Sequence, residues 1–353
     1  MNLKDGVKTA ENKVSEEAQK LGIFVKDSTK SLIDRLESYE DIINLEVGDT
    51  GLYRAKTLER EFNIRQLYIK YEGDNPTGTQ KDRIAFAQVY DALRREYPVV
   101  SLATCGNYGV AVALATNLAG IRCKIYVPES YNTERFEEME LLGAEISQLP
   151  GSYEDVVKQS SELAMQANWY DANPGGANTP LQITAYSAIA TEIFEDLGDA
   201  PKFCAAPVSN GTLFSGIYRG FVSLYKRGKT SRIPKMIAAS STRKNPIVQS
   251  YKKGLEFCKD LSPHKIKETR YNEPLVNWHS FDGEEALYAI RQSHGDAFNI
   301  SDKKMKEMST FLLKKEGLRI LPASTAGLIA LLELDEKQDF GPDRFVAVLT
   351  AKF

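Results

Sequence analysis

The chain has 353 residues, of which 42% are hydrophobic and 26% charged, and its formal net charge is -3. This length predicts about two domains with a sizeable core, and the near-neutral charge gives no electrostatic case for binding nucleic acid or an anionic membrane. The first 27 residues lack the apolar core of a signal peptide, and no run of residues has the length and apolarity of a membrane span.

The cysteines and histidines favour reduced thiols over disulfides or a metal centre. The four cysteines are widely spaced and form no Cys-x-x-Cys pair, and the three histidines lie far from most of them. Disulfides are rare where thiols are kept reduced. We therefore expect a cytoplasmic protein without a metal site.

Apolar strands alternate with helices along most of the chain. The first fifty residues are predicted to be mostly helical, and a glycine-bearing loop separates them from a first strand at 67–71. Further strands are predicted at 99–102, 123–127, 144–149, 203–208, 235–239 and 344–349. Helices are predicted from about 81, at 109–118, 132–142, 152–168, 180–197, 302–315 and 325–334, and after Gly216. Ser152 with Asp155 predicts a capping box, and residues 252–283 are predicted to form loops.

This alternation is typical of parallel strands that are joined by helical crossovers and buried on both faces. We therefore predict an α/β fold with two parallel-sheet lobes and helices on both faces of each sheet. Open sheets of this kind bind ligands at the carboxyl ends of their strands. A site is therefore expected in the cleft between the two lobes.

The sequence Asn-Pro-Thr-Gly-Thr-Gln-Lys-Asp-Arg at residues 75–83 follows the first predicted strand and contains Lys81. The lysine stands near the start of a helix, where the helix dipole disfavours a cation. A covalent bond that consumes the amine would offset this cost. The alternative is a solvated lysine in an ordinary surface turn.

Small polar residues follow three other predicted strands. The loop 104–107 offers backbone N–H groups at a helix start, which suit a carboxylate, and the loop 209–212 offers hydroxyls and amides that suit a phosphate. Thr350 follows the last strand. Each is also consistent with an ordinary turn or helix cap. Together with Lys81 they describe a site for pyridoxal phosphate and an amino acid, in which the lysine forms a Schiff base.

These motifs resemble those of the tryptophan-synthase-β-like, or fold type II, pyridoxal-phosphate enzymes, and most of all those of the threonine synthases. The family's Asn-Pro-Thr-Gly-Ser-Phe-Lys-Asp-Arg corresponds to residues 75–83, its Ser-Thr-Gly-Asn-Thr to 104–108, and its glycine-rich phosphate loop to 209–212. Its Pro-Ala-Ser-x-Ala-Gly-Leu occurs at 322–328, and its closing Leu-Thr-Gly corresponds to Leu-Thr-Ala at 349–351. The resemblance covers most of the chain.

The resemblance implies a role for each motif. Lys81 would carry the Schiff base and act as the general base at the α-proton, Asn107 would hydrogen-bond the ring hydroxyl of the cofactor, and Thr350 would meet the pyridine nitrogen. The phosphate would be held by the loop Ser209, Asn210, Gly211 and Thr212. The substrate would be bound by Thr104, Cys105, Gly106 and Tyr108. A hydroxyl at the ring nitrogen favours elimination and replacement over transamination, because it does not keep that nitrogen protonated as a carboxylate does.

The resemblance also implies a division of the chain and an assembly. Residues 1–50 and 185–353 are predicted to form a larger lobe that binds the cofactor phosphate. Residues 51–184 are predicted to form a smaller lobe with the Schiff-base lysine and the carboxylate loop. A homodimer with a small-molecule amino-acid substrate is expected, with neither nucleic acid nor membrane as a partner.

The leading hypothesis is an enzyme that forms threonine from O-phosphohomoserine. Three departures from the family keep alternatives open: Gln80 replaces an apolar residue, Tyr108 a small one and Leu321 a glutamate. One alternative is β-replacement on a serine derivative, as in cysteine synthases. Another is deamination of a serine-, threonine- or diaminopropionate-type substrate. An alternative of a different class is a non-catalytic protein that binds an amino acid.

Several other polar residues are interpreted as ordinary surface groups. Arg219, Arg243 and Lys244 are candidates for contact with a substrate phosphate, but a solvated position is the preferred interpretation of each. The same holds for His264, His279 and His294.

Overall fold

The computed structural model describes residues 13–104, 106–131, 135–337 and 341–353. The helices, numbered over these residues, are α1 Glu16–Lys26, α2 Leu32–Glu46, α3 Lys56–Glu61, α4 Lys81–Arg94, α5 Asn107–Ala119, α6 Arg135–Leu141, α7 Tyr153–Gln166, α8 Thr179–Leu197, α9 Thr212–Lys226, α10 Pro246–Lys252, α11 Gly283–Gln292, α12 Asp302–Glu316 and α13 Ala326–Asp335. The strands are β1 Leu52–Arg54, β2 Leu67–Tyr71, β3 Val99–Ala103, β4 Arg122–Pro128, β5 Ala144–Leu149, β6 Tyr170–Asp171, β7 Phe203–Pro207, β8 Lys235–Ser241, β9 Asp296–Ile300 and β10 Phe345–Leu349.

The described residues form two compact units. The first unit contains the residues up to Gly48 together with Asn75–Ala185, and the second contains Asp49–Asp74 and Tyr186–Phe353. Among the described residues, no helix combines the length and the apolar character needed to cross a lipid bilayer.

The first unit is built on a sheet of four parallel strands in the order β5-β4-β3-β6. All five residues of β3 are buried, as expected for an inner strand covered on both faces. The helices α5 and α7 pack against β3 and β4. The predicted capping box is confirmed at the start of α7, where Ser152 and Asp155 each accept a hydrogen bond from the other's backbone N–H.

The second unit is built on a sheet of six strands in the order β1-β2-β10-β7-β8-β9. All neighbours are parallel except β1, which pairs with β2 in the antiparallel sense. The nearly all-apolar α13 packs against this sheet. Gly327 allows its close approach, since a Cβ atom there would lie 3.0 Å from the Cα of Ala206. The two sheets with their flanking helices confirm the predicted α/β fold class.

The grouping of the chain differs from the predicted division at two segments. The prediction placed 1–50 with the second unit and 51–74 with the first. The described part of the leading segment packs instead on α5 of the first unit, where the Tyr39 hydroxyl donates to the Ala115 carbonyl at 3.1 Å. Residues 49–74 join the second unit because β2 pairs along its length with β10.

A buried ion pair also ties the segment 49–74 to the second unit. Lys70 lies in the middle of β2 and is fully buried, with its Nζ atom 2.5 Å from Oε2 of Glu192. The same amine donates to the carbonyl of Thr50. A buried charge is tolerated only with such partners, so these contacts fix the strand in its sheet.

Several elements differ from their predicted bounds. The helix predicted after Gly216 already begins at Thr212, and the prediction omitted β1, β6, β9, α3, α10 and α11. The predicted helix 132–142 is described only from Arg135, since residues 132–134 lie outside the described part of the chain. Residues 253–282, between α10 and α11, form loops with two short 3₁₀ turns, in agreement with the prediction of loops over about 252–283.

Candidate active site

The loop 75–80 in the first unit places Lys81 as the first residue of α4. Gly78 has a φ of +80°, which favours glycine, and its N–H donates to the Asn75 carbonyl at 2.8 Å. The side-chain carbonyl of Asn75 accepts from the N–H of Gly48 at 3.0 Å. The loop is thus held by its own polar contacts, and it presents a half-buried lysine at a helix start.

Asp82 follows Lys81 and is fully buried. The N–H of Thr77 donates to its Oδ2 atom at 2.9 Å, and the Thr77 hydroxyl donates to Oδ1 at 2.8 Å. Burial raises the pKa of the Asp82 carboxyl to about 7, and the bonds from Thr77 oppose the shift. The residue anchors the loop to the helix that carries Lys81.

The raised pKa of Asp82 predicts a dependence of stability on pH. The carboxyl has an ordinary pKa of 3.8 and one of about 7 in the folded chain, so between these values the folded state holds a proton that the unfolded state has lost. The free energy of unfolding therefore falls as pH rises through this window, by up to about 1.4 kcal/mol per pH unit. In an Asp82→Asn variant this contribution is absent.

Urea titrations of wild type and Asp82→Asn at several pH values between about 4 and about 8 measure this effect. The stability of wild type relative to the variant should fall as pH rises. Asp155→Asn is the control, because hydrogen bonds from Ser152 lower the pKa of that carboxyl below its ordinary value of 3.8, so the stability of wild type relative to this variant should stay nearly constant over the same pH range. Parallel profiles for wild type and Asp82→Asn would contradict a raised pKa at Asp82.

The loop at the start of α5 contains the predicted substrate-carboxylate residues. Thr104 is buried and donates its N–H to the Tyr126 carbonyl at 3.0 Å. A Cβ atom built on Gly106 would meet no described atom within 4 Å, so there is open space beside this loop. Asn107 begins the helix and is half-buried. Cys105 lies outside the described residues.

Tyr108 follows Asn107 and brings its ring to Lys81. The ring centroid lies 5.2 Å from the Nζ atom of Lys81. The Tyr108 hydroxyl donates to the Ala172 carbonyl at 2.8 Å and accepts from the amide of Gln88. The Tyr108 hydroxyl therefore forms hydrogen bonds with protein groups, and the aromatic ring lies beside the lysine.

In the second unit, the loop 209–212 joins β7 to the start of α9. Gly211 has a φ of +103°, and a Cβ atom there would lie 2.6 Å from the carbonyl oxygen of Asp282. Glycine is therefore required at this position. The loop leads into a helix start, and its half-exposed residues Ser209 and Asn210 lie where backbone N–H groups can bind an anion.

Asp282 supports this loop through two hydrogen bonds. Its N–H donates to the Asn210 carbonyl at 2.9 Å, and its carboxylate accepts from the Thr212 hydroxyl. The carbonyl of Ser209 accepts from Asn245 and from Ser280, each at 3.0 Å. The sequence reasoning missed these supporting residues, which local motifs do not reveal.

The support from Asp282 predicts opposite results for two substitutions. Asp282→Ala releases the Thr212 hydroxyl and should weaken binding of pyridoxal phosphate about tenfold, as expected for a lost hydrogen bond to a charged group. Asp282→Asn keeps an acceptor and removes a negative charge, so it should bind the cofactor at least as tightly as wild type. Titration of the visible absorbance gives both affinities.

The matched control for these variants is Glu285→Ala, because Glu285 lies in the first turn of α11, the helix that Asp282 directly precedes, and pairs with the exposed Arg219. Its cofactor affinity should equal that of wild type. Wild-type affinity in Asp282→Ala would show that the loop keeps its shape without this carboxylate.

Thr350 follows β10 and is buried, and its hydroxyl oxygen lies 2.8 Å from Oγ of Ser324. Ser324 belongs to the 3₁₀ turn Pro322–Thr325, which contains the sequence Pro-Ala-Ser. The sequence prediction named this motif but gave Ser324 no role. Its place in the motif was the available signal.

The groups in each unit have the chemistry that pyridoxal phosphate requires. The first unit presents an amine at Lys81 and amide groups at a helix start. The second presents a glycine-containing helix start and a pair of neutral hydroxyls. These donors match the aldehyde, phosphate and pyridine nitrogen of the cofactor.

Comparison with known proteins also indicates a site for pyridoxal phosphate. A family described as "Pyridoxal-phosphate dependent enzyme" matches residues 43–351. The chain is similar to threonine synthase of Methanocaldococcus jannaschii, at 30% identity over 96% of this chain and 82% of the relative. It is also similar to threonine synthase of a Synechocystis species, at 26% identity over 88% of this chain and 77% of the relative.

Solved structures show the same fold at low sequence identity. Maize serine racemase aligns with a TM-score of 0.72 and 18% identity, covering 91% of this chain and 94% of that one. The processed form of threonine deaminase isoform 2 from Solanum lycopersicum aligns with a TM-score of 0.70 and 18% identity, covering 91% and 90%. Because the family model matches most of its length, the chain belongs to the pyridoxal-phosphate dependent enzymes of fold type II.

Proposed function

We propose that this enzyme converts O-phosphohomoserine and water to threonine and phosphate. The substrate is suggested by the threonine synthase of Methanocaldococcus jannaschii, which is similar over 96% of this chain. The reaction class is supported by the contact between the hydroxyls of Thr350 and Ser324. A neutral hydroxyl at the ring nitrogen moderates the electron-withdrawing power of the cofactor, which favours elimination and replacement.

In this proposal each motif binds one part of the cofactor or substrate. The amine of Lys81 would hold the cofactor through its aldehyde, and the backbone N–H groups of the loop 209–212 would bind its phosphate. Asn107 would donate to the ring hydroxyl, and Thr350 would contact the ring nitrogen. The N–H groups of residues 104–108 bind the substrate carboxylate.

The chemical step then depends on proton transfer by Lys81. Bound pyridoxal phosphate supplies an electron sink next to the α-carbon of the substrate. The released amine of Lys81 accepts the α-proton at its Nζ atom and returns a proton later in the cycle. As phosphate leaves the γ-carbon, a proton is lost from the β-carbon, and the γ-carbon then gains a proton. Water adds its hydroxyl at the β-carbon, and its remaining proton goes to the phosphate.

A second candidate is deamination of a hydroxy amino acid. Two of the three cations considered for a substrate phosphate have protein partners: Arg219 pairs with Glu285 at 2.5 Å, and the Lys244 amine donates to the Lys267 carbonyl at 2.5 Å. These contacts favour a substrate without a phosphate group. The candidate differs from the first in its product, since it releases ammonia.

Product analysis of the holoenzyme tests both candidates. The enzyme is incubated in turn with O-phosphohomoserine, O-phosphoserine, O-acetylserine, serine, threonine and diaminopropionate, and phosphate, ammonia and amino acids are measured. Equal amounts of phosphate and threonine from O-phosphohomoserine are expected. Ammonia from serine or threonine, with no phosphate released from O-phosphohomoserine, would replace the first candidate by the second. A chain that binds amino acids but turns over none would support the non-catalytic alternative.

A further inference from the structure

Tyr108 links Lys81 to a buried group of amide side chains in the first unit. Its ring centroid lies 5.2 Å from the Lys81 amine, and only 7% of the residue is exposed. The hydroxyl at the far end of the ring donates to the Ala172 carbonyl and accepts from Gln88. The ring is thus fixed at its tip while its face meets the lysine.

Gln88 is the central member of this group. It is fully buried, and its amide also donates to the Ile84 carbonyl at 3.1 Å. Its side-chain oxygen accepts from Gln182 at 3.1 Å. Gln88 follows Lys81 by seven residues on α4, which is two helical turns, so both side chains leave the same face of the helix.

The contacts of Gln182 extend this group across the first unit. Its amide donates to the carbonyl of Asn173 at 3.1 Å, and Asn173 in turn accepts from the N–H of Ala103 at the end of β3. Gln182 and Asn173 are both buried. These hydrogen bonds therefore fix the position of Tyr108 relative to the sheet as well as to α4, the helix that carries Lys81.

The hydroxyl of Tyr108 is not suited to acid–base chemistry. Its single proton is donated to the Ala172 carbonyl at 2.8 Å and is therefore not shared with the lysine. Burial also raises the pKa of Tyr108 well above its ordinary value, so the hydroxyl stays neutral. The part of Tyr108 that acts on Lys81 is the ring.

We propose that Tyr108 is a positioning residue for Lys81, and that Gln88 fixes the ring that does so. This inference rests on the proposed role of Lys81 as the residue that bonds to the cofactor. An aromatic face attracts an ammonium group and limits the positions of the flexible lysine stem. A fixed ring therefore holds the amine in one place. This matters for the rate, because a displacement of about 1 Å at a reacting atom costs on the order of 100-fold.

The first test is spectroscopic and needs no cofactor. Lysine amines of the full chain are dimethylated with ¹³C-formaldehyde, and the methyl resonance of Lys81 is assigned by its loss in Lys81→Ala. A ring-current shift is expected in wild type, is retained in Tyr108→Phe and is lost in Tyr108→Leu. Lys30 is the matched control, because its amine also lies 5.2 Å from a ring centroid, that of Phe24. Its resonance should change in Phe24→Leu and not in the Tyr108 variants.

The second test measures the rate at which pyridoxal phosphate attaches to Lys81, followed by visible absorbance and by the mass of the borohydride-reduced peptide. Tyr108→Leu should slow attachment about 100-fold, as expected for a misplaced amine. Gln88→Met has a similar length and lacks the amide, so it should slow attachment less, while Tyr108→Phe should restore most of the rate lost in Tyr108→Leu. If Tyr108→Leu does not fold, Gln88→Met and the Lys81 resonance decide the question.

The outcomes separate this inference from the proposed function. If wild type attaches the cofactor at Lys81 and all variants match its rate and its Lys81 resonance, Tyr108 is only a packing residue and the inference is wrong. Lower melting temperatures with unchanged attachment rates lead to the same conclusion. If wild type attaches no cofactor at Lys81, the proposed function is wrong, and the inference that rests on it is overturned as well.

Discussion

Replacement of Lys81 by alanine should abolish covalent attachment of pyridoxal phosphate and lower turnover by more than about 1000-fold. Two functions are lost together, because the amine is proposed both to bond to the cofactor and to move the α-proton, and a positioned base alone contributes about 100- to 10,000-fold. Lys81 is half-buried at the start of α4, so the fold should tolerate the change. The measurements are the visible absorption spectrum, the mass of the borohydride-reduced protein and product formation.

Lys30→Ala is the control for this experiment. Lys30 belongs to the same unit, and its amine lies 5.2 Å from an aromatic ring as that of Lys81 does. Wild-type absorption and turnover are expected from this variant. A Lys81→Ala protein with an unchanged spectrum and a reduced label on another lysine would refute the role assigned to Lys81.

Replacement of Gly211 by alanine should have the second largest effect, on both stability and cofactor affinity. The φ of +103° is costly for any residue with a side chain, by about 1–3 kcal/mol. The added Cβ would also lie 2.6 Å from the Asp282 carbonyl oxygen, so the loop must move. Movement displaces the N–H groups proposed to bind the phosphate, and cofactor affinity should fall more than about tenfold.

The chain offers a matched glycine for comparison. Gly228 has a φ of +67°, and a Cβ atom there would meet no described atom within 4 Å. Gly228→Ala should therefore cost about 1 kcal/mol in stability and leave cofactor affinity unchanged. Unfolding titrations and cofactor titrations of both variants separate the backbone cost from the effect on the site. Equal cofactor affinities in the two variants would contradict the role proposed for the loop 209–212.

The sequence predicted those parts of the fold that depend on local patterns. β5 was predicted at its observed bounds, because a helix-ending glycine precedes it and Pro150 follows it, and both residues mark its limits clearly. β9 was missed, since it is an edge strand with polar residues at Asp296 and Asn299. The start of α9 was placed too late, because the left-handed turn at Gly211 that allows the earlier start is a property of the folded backbone.

The division of the chain could not be predicted from these patterns. An amphipathic helix shows that one of its faces is buried and not which sheet covers it. Tyr39 is such a case, since its buried hydroxyl bonds to Ala115 on α5. The burial of Lys70 could not be predicted either, because its partner Glu192 lies 122 residues away along the chain.

The candidate site shows the same limit. Lys81, Asn107 and Thr350 were identified because each lies next to a strand end in a recognisable motif. Asp282 was not, because it reaches Thr212 across 70 residues of sequence. Gln88 was not identified either, because a glutamine inside a helical pattern does not reveal that it contacts a tyrosine 20 residues later in the chain.

The hydroxyl pair of Thr350 and Ser324 has one further consequence. Either oxygen can be the donor in their 2.8 Å contact, so the direction of the hydrogen bond can reverse without movement of a heavy atom. In the proposed site, Thr350 can donate to a ring nitrogen that lacks a proton, or accept from one that carries it. A carboxylate can only accept. In the proposed site, Ser324 would thus let Thr350 serve either protonation state of the ring nitrogen from one position.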